Sequence, residues 1–262
     1  MWLTVGTVAL LVGVFLAPFR VASIWAGGDY GNVNELRDAV RSGFVDFWSA
    51  GQSAIGPAMS GPVDFWAKFH IVKAVLAAAL LVSTLLLGSR IGRAYLRAAS
   101  LPRRLLLGVV GMADAAVAAL ALVILVANVQ GAVAPLSSLL GLMPISSPDP
   151  RLSVTLTQVR HDLGSGDDSP PLSLLVHDFA GYHVAMVVLG ALVTVALTAA
   201  VVVVWRRRRR TPRPQRSERR LLAMATIALV PMLAFFALVT VANASTVARP
   251  APALLGFFEG SA

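Results

Sequence analysis

Residues 184–210 read VAMVVLGALVTVALTAAVVVVWRRRRR, a long apolar run that ends at Trp205 and five consecutive arginines. Guanidinium groups stay out of hydrocarbon, and membranes keep such clusters on their cytoplasmic side. An aromatic residue such as Trp205 is typical of the interface between lipid and water. This stretch therefore predicts a membrane-spanning helix followed by a cytoplasmic loop.

The whole chain has the composition of an integral membrane protein. Of its 262 residues, 57% are hydrophobic and 13% are charged, and the mean hydropathy is +0.76. Soluble domains carry about 25% charged residues. The sequence contains no cysteine, which excludes disulfides and thiolate metal sites. The basic pI near 11.3 arises mostly from two short loops, so it indicates topology and contact with anionic lipid rather than nucleic acid.

Four further apolar runs complete a predicted bundle of five spans, at residues 1–25, 69–89, 105–128, 183–205 and 221–242. Each is long enough for a hydrocarbon core of ~30 Å. The outer segments are then 26–68 and 129–182, the inner loops are 90–104 and 206–220, and the tail 243–262 is outside. No basic region precedes the first span, so we interpret it as an uncleaved helix, with a cleaved signal peptide as the alternative.

Charge asymmetry gives the predicted orientation. The two inner loops hold 14 of the 22 Lys and Arg residues and a single acid, while the outer segments hold 10 of the 13 acids. The positive-inside rule then predicts a cytoplasmic N-terminus and an external C-terminus. The heavy use of Ala, Val, Leu, Gly and Arg, with little Lys, predicts that the membrane is the plasma membrane of a bacterium. The arginines with this topological or lipid-headgroup role include Arg103, Arg104, Arg206, Arg207, Arg208, Arg209 and Arg210.

The outer segments predict a small, mostly helical cap. After a predicted N-cap at Asn34, apolar residues recur at helical spacing, which indicates an amphipathic helix on the outer leaflet or against the bundle. The motif VDFW occurs at 45–48 and again at 63–66, and the glycines and prolines between them predict two short helices joined by a turn. We interpret both motifs as interfacial aromatic anchors.

The second outer segment and the tail contain three more apolar pieces. Residues 135–144 and the tail residues 254–258 are predicted to rest at the membrane interface. Residues 152–157 alternate between apolar and polar, the period of a strand, and would pair with 172–176 in a short β-hairpin.

Asp114 is the most informative single residue, because it falls near the middle of the third span. A carboxyl group in hydrocarbon is costly and is by default a functional candidate. Counting residues from the outer ends places Ser83, Thr84 and Thr198 at a similar depth. Three interpretations stay open: a protonated structural group that joins helices, a proton or ion relay, and a contact with a partner subunit.

The four histidines all fall on the predicted outer side, at His70, His161, His177 and His183. Imidazoles beside carboxylates can ligate zinc or copper, and two histidines on different helices can hold a haem. Their spacing matches no metal signature, so histidines that only form interfacial hydrogen bonds are the alternative. We predict no cofactor, with haem or a divalent metal as the exception.

The sequence also lacks the signatures of common enzymes, including a phosphate-binding loop, a nucleophile elbow and paired carboxylates within a span. We therefore expect a non-enzymatic accessory or scaffold subunit of a membrane or cell-envelope complex, with membrane lipid and other envelope proteins as partners. The first alternative is a transporter or proton-coupled subunit that uses Asp114. The second is a haem- or metal-binding redox protein that uses the outer histidines.

Overall fold

A computed structural model describes residues 2–26, 30–143 and 149–260. These residues form helices and no strand. The helices are α1 (Trp2–Ala26), α2 (Val33–Ala50), α3 (Pro57–Arg97), α4 (Leu101–Val133), α5 (Pro135–Leu140), α6 (Pro150–Ser165), α7 (Pro170–Arg210), α8 (Arg216–Ala248) and α9 (Pro250–Glu259). Five of them, α1, α3, α4, α7 and α8, are long and apolar enough to cross a membrane, which confirms a helical protein with five candidate spans.

The long helices extend beyond the predicted spans. Helices α3 and α7 have 41 residues each, about twice the ~20 that a bilayer requires. The predicted second short helix around residue 63 is therefore part of α3 rather than a separate element. Gly51 ends α2 in a left-handed conformation (φ 63°), and Pro57 begins α3. Pro62 lies in the second turn of α3, and the helix continues through it.

Helices α2 to α9 form two copies of one four-helix sequence. The first long helix has 41 residues in both copies (α3 and α7), and the second has 33 in both (α4 and α8). A short helix with a leading proline follows in each, α5 from Pro135 and α9 from Pro250. The shorter helices α2 and α6 open the two copies. Each copy contains two of the five helices that are long and apolar enough to cross a membrane.

Identical residues recur at matching positions in the two copies. His70 and His183 lie 113 positions apart, each at the same place in its 41-residue helix. Asn128 and Asn243 lie 115 positions apart and close identical Val-Ala-Asn triplets. The short helices share Pro-x-x-x-Leu-Leu-Gly at 135–141 and 250–256. The chain is therefore α1 followed by two tandem copies of one helix pattern, which share these residues and differ at most other positions.

The chain also divides into two compact units. The first, here called the membrane unit, comprises the described residues within Met1–Leu16, Lys73–Ala127 and Val187–Val241. Its small core of Val14, Ala77, Leu80 and Ala121 packs α1 against α3 and α4. Most of its large apolar side chains are instead exposed, as lipid-facing residues are.

The second unit comprises the described residues within Ala17–Val72, Asn128–Met186 and Ala242–Ala262. It has a large apolar core of its own, to which α2, α5, α6 and α9 all contribute. Helix α6 packs against both α2 and α9. Two ion pairs, Arg41–Asp149 at 3.7 Å and Arg151–Asp46 at 3.6 Å, join α2 to the start of α6.

The predicted β-hairpin is wrong, because both of its segments are helical. The side chain of Asp149 caps α6 by accepting a hydrogen bond from the backbone N–H of Arg151 at 3.0 Å, and Pro150 occupies the first turn. The residues that α6 buries follow a helical period over the whole segment, namely Leu152, Thr155, Leu156, Val159 and Leu163. The strand-like alternation covered six residues, of which Leu152 and Leu156 lie on the buried face of α6 while Val154 is exposed.

Three interfacial predictions also need correction. The amphipathic helix is confirmed as α2, but Asn32 caps it instead of Asn34, and its apolar face is buried in the core of the second unit. Leu136, Leu139 and Leu140 of α5 lie in the same core, while Pro144 is outside the described residues. The tail forms α9, which buries Leu254 and Phe258 there. These side chains pack against protein, so the predicted resting place on lipid is wrong for them.

Candidate functional site

Asp114 lies on a groove in the membrane unit. The groove has a volume of about 410 Å³ and is formed mainly by α3, α4 and α8. Among the described residues, Asp114 is the only charged one that lines it; the polar ones include Thr84, Ser89 and Tyr95. Small residues on α3 and α4 make the space, among them Gly88, Gly92, Gly108 and Gly111. Their spacing allows two helix backbones to approach closely.

The carboxyl group of Asp114 makes no hydrogen bond or ion pair with another described residue. It packs on the bare backbone of α3, where a Cβ added at Gly88 would lie 2.7 Å from its Oδ2 atom. The hydroxyl groups of Thr84 and Ser89 bond to their own helix: Thr84 donates to the carbonyl of Leu81 at 2.8 Å, and Ser89 donates to that of Leu86 at 2.7 Å. Asp114 is thus a half-buried carboxyl group whose hydrogen-bonding capacity is unused by the described residues.

The predicted partners of Asp114 lie elsewhere, apart from Thr84. The Ser83 hydroxyl forms a hydrogen bond of 2.7 Å with that of Thr7 on α1. Thr198 is exposed and donates to the carbonyl of Thr194 at 2.7 Å. The interpretation of Asp114 as a hydrogen-bonded clasp between helices is therefore not supported by the contacts of the described residues.

The Asp114 groove lies between matching helices of the two copies. Helix α4 lines it from the first copy and α8 lines it from the second. Asp114 and Leu229 occupy equivalent positions, 115 residues apart, and both line the groove. Sites for substrates and coupling ions in repeat-built transporters lie near the middle of the membrane between the repeats. One copy therefore supplies an ionisable group to this groove, and the other supplies leucine.

The second unit holds a polar network around His70. The Nδ1 atom of His70 lies 2.8 Å from Oδ1 of Asn128, and its Nε2 atom lies 2.8 Å from Oγ of Ser138. The indole N–H of Trp66 donates to the same hydroxyl at 2.9 Å. These contacts form a consistent chain: Nδ1–H donates to the amide oxygen, and Nε2 accepts from the serine. The network also needs Gly131, since a Cβ there would come within 2.5 Å of the His70 ring.

His183 repeats half of this network. Its Nδ1 atom lies 2.7 Å from Oδ1 of Asn243, and the rings of Phe179 and Tyr182 contact it edge-on, as Trp66 and Phe69 contact His70. The position of Trp66 is taken by Phe179, and that of Ser138 by Ala253. The indole donor and the hydroxyl acceptor are thus both missing from the second copy. The Nε2 atom of the half-buried His183 consequently has no hydrogen-bond partner among the described residues.

The other two histidines do not join these clusters. His161 and His177 are exposed, and the neighbouring Asp178 accepts hydrogen bonds from the backbone and hydroxyl groups of Ser137 at 2.7 and 2.5 Å. Across the described ranges, no three His, Cys, Asp or Glu side chains converge to hold a metal ion. The structure therefore brings the predicted histidine ligands to separate hydrogen-bonded places.

The arginine run forms the last turns of α7. Arg207 pairs with Glu218 at 2.8 Å, and the guanidinium of Arg209 stacks over the Trp205 ring at 3.8 Å. On the neighbouring loop, Arg104 donates from Nε to the carbonyl of Ala98 at 2.8 Å, while Arg103 is exposed. We call the end of the spans that carries these arginines the basic end.

Sequence reasoning located Asp114 and the histidines, but it missed Gly88, Asn128, Asn243 and Ser138. The glycine spacing of α3 and the repeated Val-Ala-Asn triplet were available signals for the first three. Comparisons with protein-family models, with curated proteins and with solved structures found no match to this chain. The function must therefore be argued from the site itself.

Proposed function

We propose that the protein is a proton-coupled membrane transporter, or a proton-conducting subunit of one, in which Asp114 takes up and releases the proton. The observation that carries this proposal is an ionisable side chain at mid-helix depth with no partner among the described residues. An ionisable residue inside the membrane is expensive and is normally paired or functional. Its place between matching helices of a tandem repeat is the place where repeat-built transporters bind their ions.

The chemistry needs only one group of this kind. A carboxyl that faces an apolar groove is stable in its neutral form, and it ionises when water or a cation enters. Alternating between these forms would couple opening of the groove to proton movement. Thr84, Ser89 and Tyr95 give the groove some polarity, and the surrounding glycines and alanines allow α4 and α8 to shift. The test is proton flux into vesicles that contain the purified protein with Asp114 or with asparagine in its place.

The sequence-based prediction of an accessory or scaffold subunit concerns the second unit instead. Support comes from its separate apolar core and from the ion pairs between α2 and α6. An affinity pull-down from native membranes tests it, and recovery of a stoichiometric partner would favour it. The absence of a cofactor also stays a prediction, with haem or a divalent metal as the alternative, and a visible absorption spectrum and metal analysis of the purified protein would check it.

The proposal includes location and orientation. We infer a bacterial plasma membrane with the basic end in the cytoplasm, the N-terminus inside, the C-terminus outside and the second unit as an extracytoplasmic cap. A reporter fused after Arg213 should then read as cytoplasmic, and reporters fused at Ser165 or after Ala262 should read as external, because clustered arginines resist translocation. A cytoplasmic C-terminus would contradict five crossings.

A further inference from the structure

A second groove lies at the basic end, between α4 and α8. Its volume is about 630 Å³, and its lining is apolar apart from Tyr95 and two arginines, Arg104 and Arg220. The apolar lining includes Leu101, Leu105 and Ile227. No acidic residue lines this groove within the described part of the chain. We call it the basic-end groove.

Arg104 and Arg220, unlike Arg207, have no carboxylate partner among the described residues. Arg207 has a carboxylate partner in Glu218. Arg104 uses only its Nε–H, on the Ala98 carbonyl, so its terminal nitrogens stay available. Arg220 is exposed and makes no hydrogen bond or ion pair with a described residue. A guanidinium presents several N–H donors in a fork that matches a phosphate group.

The basic-end groove is continuous with apolar space deeper in the membrane unit. It shares Tyr95, Gly108, Met112 and Met224 with the Asp114 groove. Along α4, Arg104 and Asp114 are separated by roughly 15 Å, at ~1.5 Å per residue. A ligand with an anionic head at the arginines could therefore extend an apolar chain along α4.

We propose that the basic-end groove is a specific binding site for an anionic phospholipid. The phosphate contacts Arg104 and Arg220, and one acyl chain lies over Gly108 and Met112. Charge complementarity favours an anionic lipid, because the described lining of the groove presents two cations and no carboxylate. The rest of that lining is apolar apart from Tyr95. This inference is independent of the proton-coupled function, because it requires no titration of Asp114.

The full-length protein in detergent allows a direct test by native mass spectrometry and thermal unfolding, with phosphatidylglycerol and phosphatidylcholine as probes. We expect phosphatidylglycerol to bind at least about tenfold more tightly, because only it has a net negative charge for the two guanidiniums. Arg220→Gln, alone or with Arg104→Gln, should lower this preference towards that of phosphatidylcholine. Arg220 is the cleaner position, since its side chain has no bond to lose within the described structure.

Two controls separate this site from general attraction to a basic surface. The double variant Arg208→Gln and Arg213→Gln removes the same charge from exposed positions outside the groove and should keep the preference. Ala223→Leu fills the floor without changing charge and should weaken binding of both lipids. Equal loss in the Arg208/Arg213 variant, or unchanged binding in Ala223→Leu, would overturn the proposal. The proposal would also be overturned if glycerol phosphate competed for the site as strongly as the intact lipid does.

Discussion

Replacing Asp114 by asparagine is expected to abolish proton flux into vesicles that contain the purified protein. The amide has nearly the same shape and can still donate and accept hydrogen bonds, but it cannot ionise. Flux would be followed with a pH-sensitive dye inside the vesicles under an imposed potassium-diffusion potential. The wild-type rate should exceed that of protein-free vesicles, and the Asn variant should fall to the protein-free rate.

Folding should survive this change, so lost flux would report on chemistry. Asp114 makes no hydrogen bond or ion pair with a described residue, and an asparagine at this position would therefore leave no buried partner unsatisfied. The thermal unfolding midpoint of the Asn variant should equal or exceed that of the wild type. Gly88→Ala gives a second test of the role of Asp114 in proton flux. The added Cβ would displace the Asp114 carboxyl group from its place on α3, so this variant should also reduce flux.

The matched control is Asp64→Asn. It makes the same chemical change in the second unit, at an exposed carboxylate that pairs with Lys68 at 2.6 Å. Exposed pairs contribute about 0–1 kcal/mol, so both stability and flux should stay near the wild-type values. Wild-type flux in the Asp114→Asn variant, at equal incorporation, would eliminate the relay. A wild-type protein no faster than empty vesicles would remove the proton-coupled proposal altogether.

The five spans were predictable because their cause is local. An apolar run of about 20 residues needs hydrocarbon wherever the rest of the chain lies. The depth of Asp114 followed from counting along one helix. Its surroundings did not, because depth says nothing about the side of the helix on which a residue lies. Ser83 bonds to Thr7 on α1, and Thr198 is exposed.

The tandem repeat is the larger omission. The local VDFW repeat is evident from the sequence because its four residues are identical, but both occurrences lie within the first copy. In the longer repeat, the residues that recur are far apart in the sequence, and some are similar rather than identical. An aromatic residue lies four positions and another lies one position before each of His70 and His183, and an asparagine follows on the next long helix. The β-hairpin prediction was wrong because it relied on six alternating residues, whereas the whole segment 150–165 has the period of a helix.

The repeat also predicts different chemical reactivity for its two equivalent histidines. Diethylpyrocarbonate acylates an unprotonated imidazole nitrogen that is free to attack. We expect it to modify His183 and to spare His70 in the full-length protein, as measured by peptide mass spectrometry. In His70 both ring nitrogens are hydrogen-bonded, to Asn128 and Ser138, whereas the Nε2 atom of His183 has no partner within the described structure.

Two exchanges between the copies make this prediction reciprocal. Ser138→Ala removes the hydroxyl that covers His70 and should make that ring reactive. The double variant Phe179→Trp and Ala253→Ser rebuilds the missing donor and hydroxyl beside His183 and should protect it. A net hydrogen bond of about 1 kcal/mol corresponds to roughly fivefold protection, and the buried packing of the first copy should increase it.

The exposed His161 and His177 provide internal standards in every sample, because their modification reports the activity of the reagent. If His70 of the wild type reacted as fast as His161, the hydrogen-bonded network would not persist in solution. If the rebuilt second copy left His183 fully reactive, the two histidine sites would not be structural equivalents. Protection of His183 in that variant, together with exposure of His70 by Ser138→Ala, would establish that the two histidine sites share one architecture. It would also show that the side chains of Phe179 and Ala253 account for the missing hydrogen bond of His183.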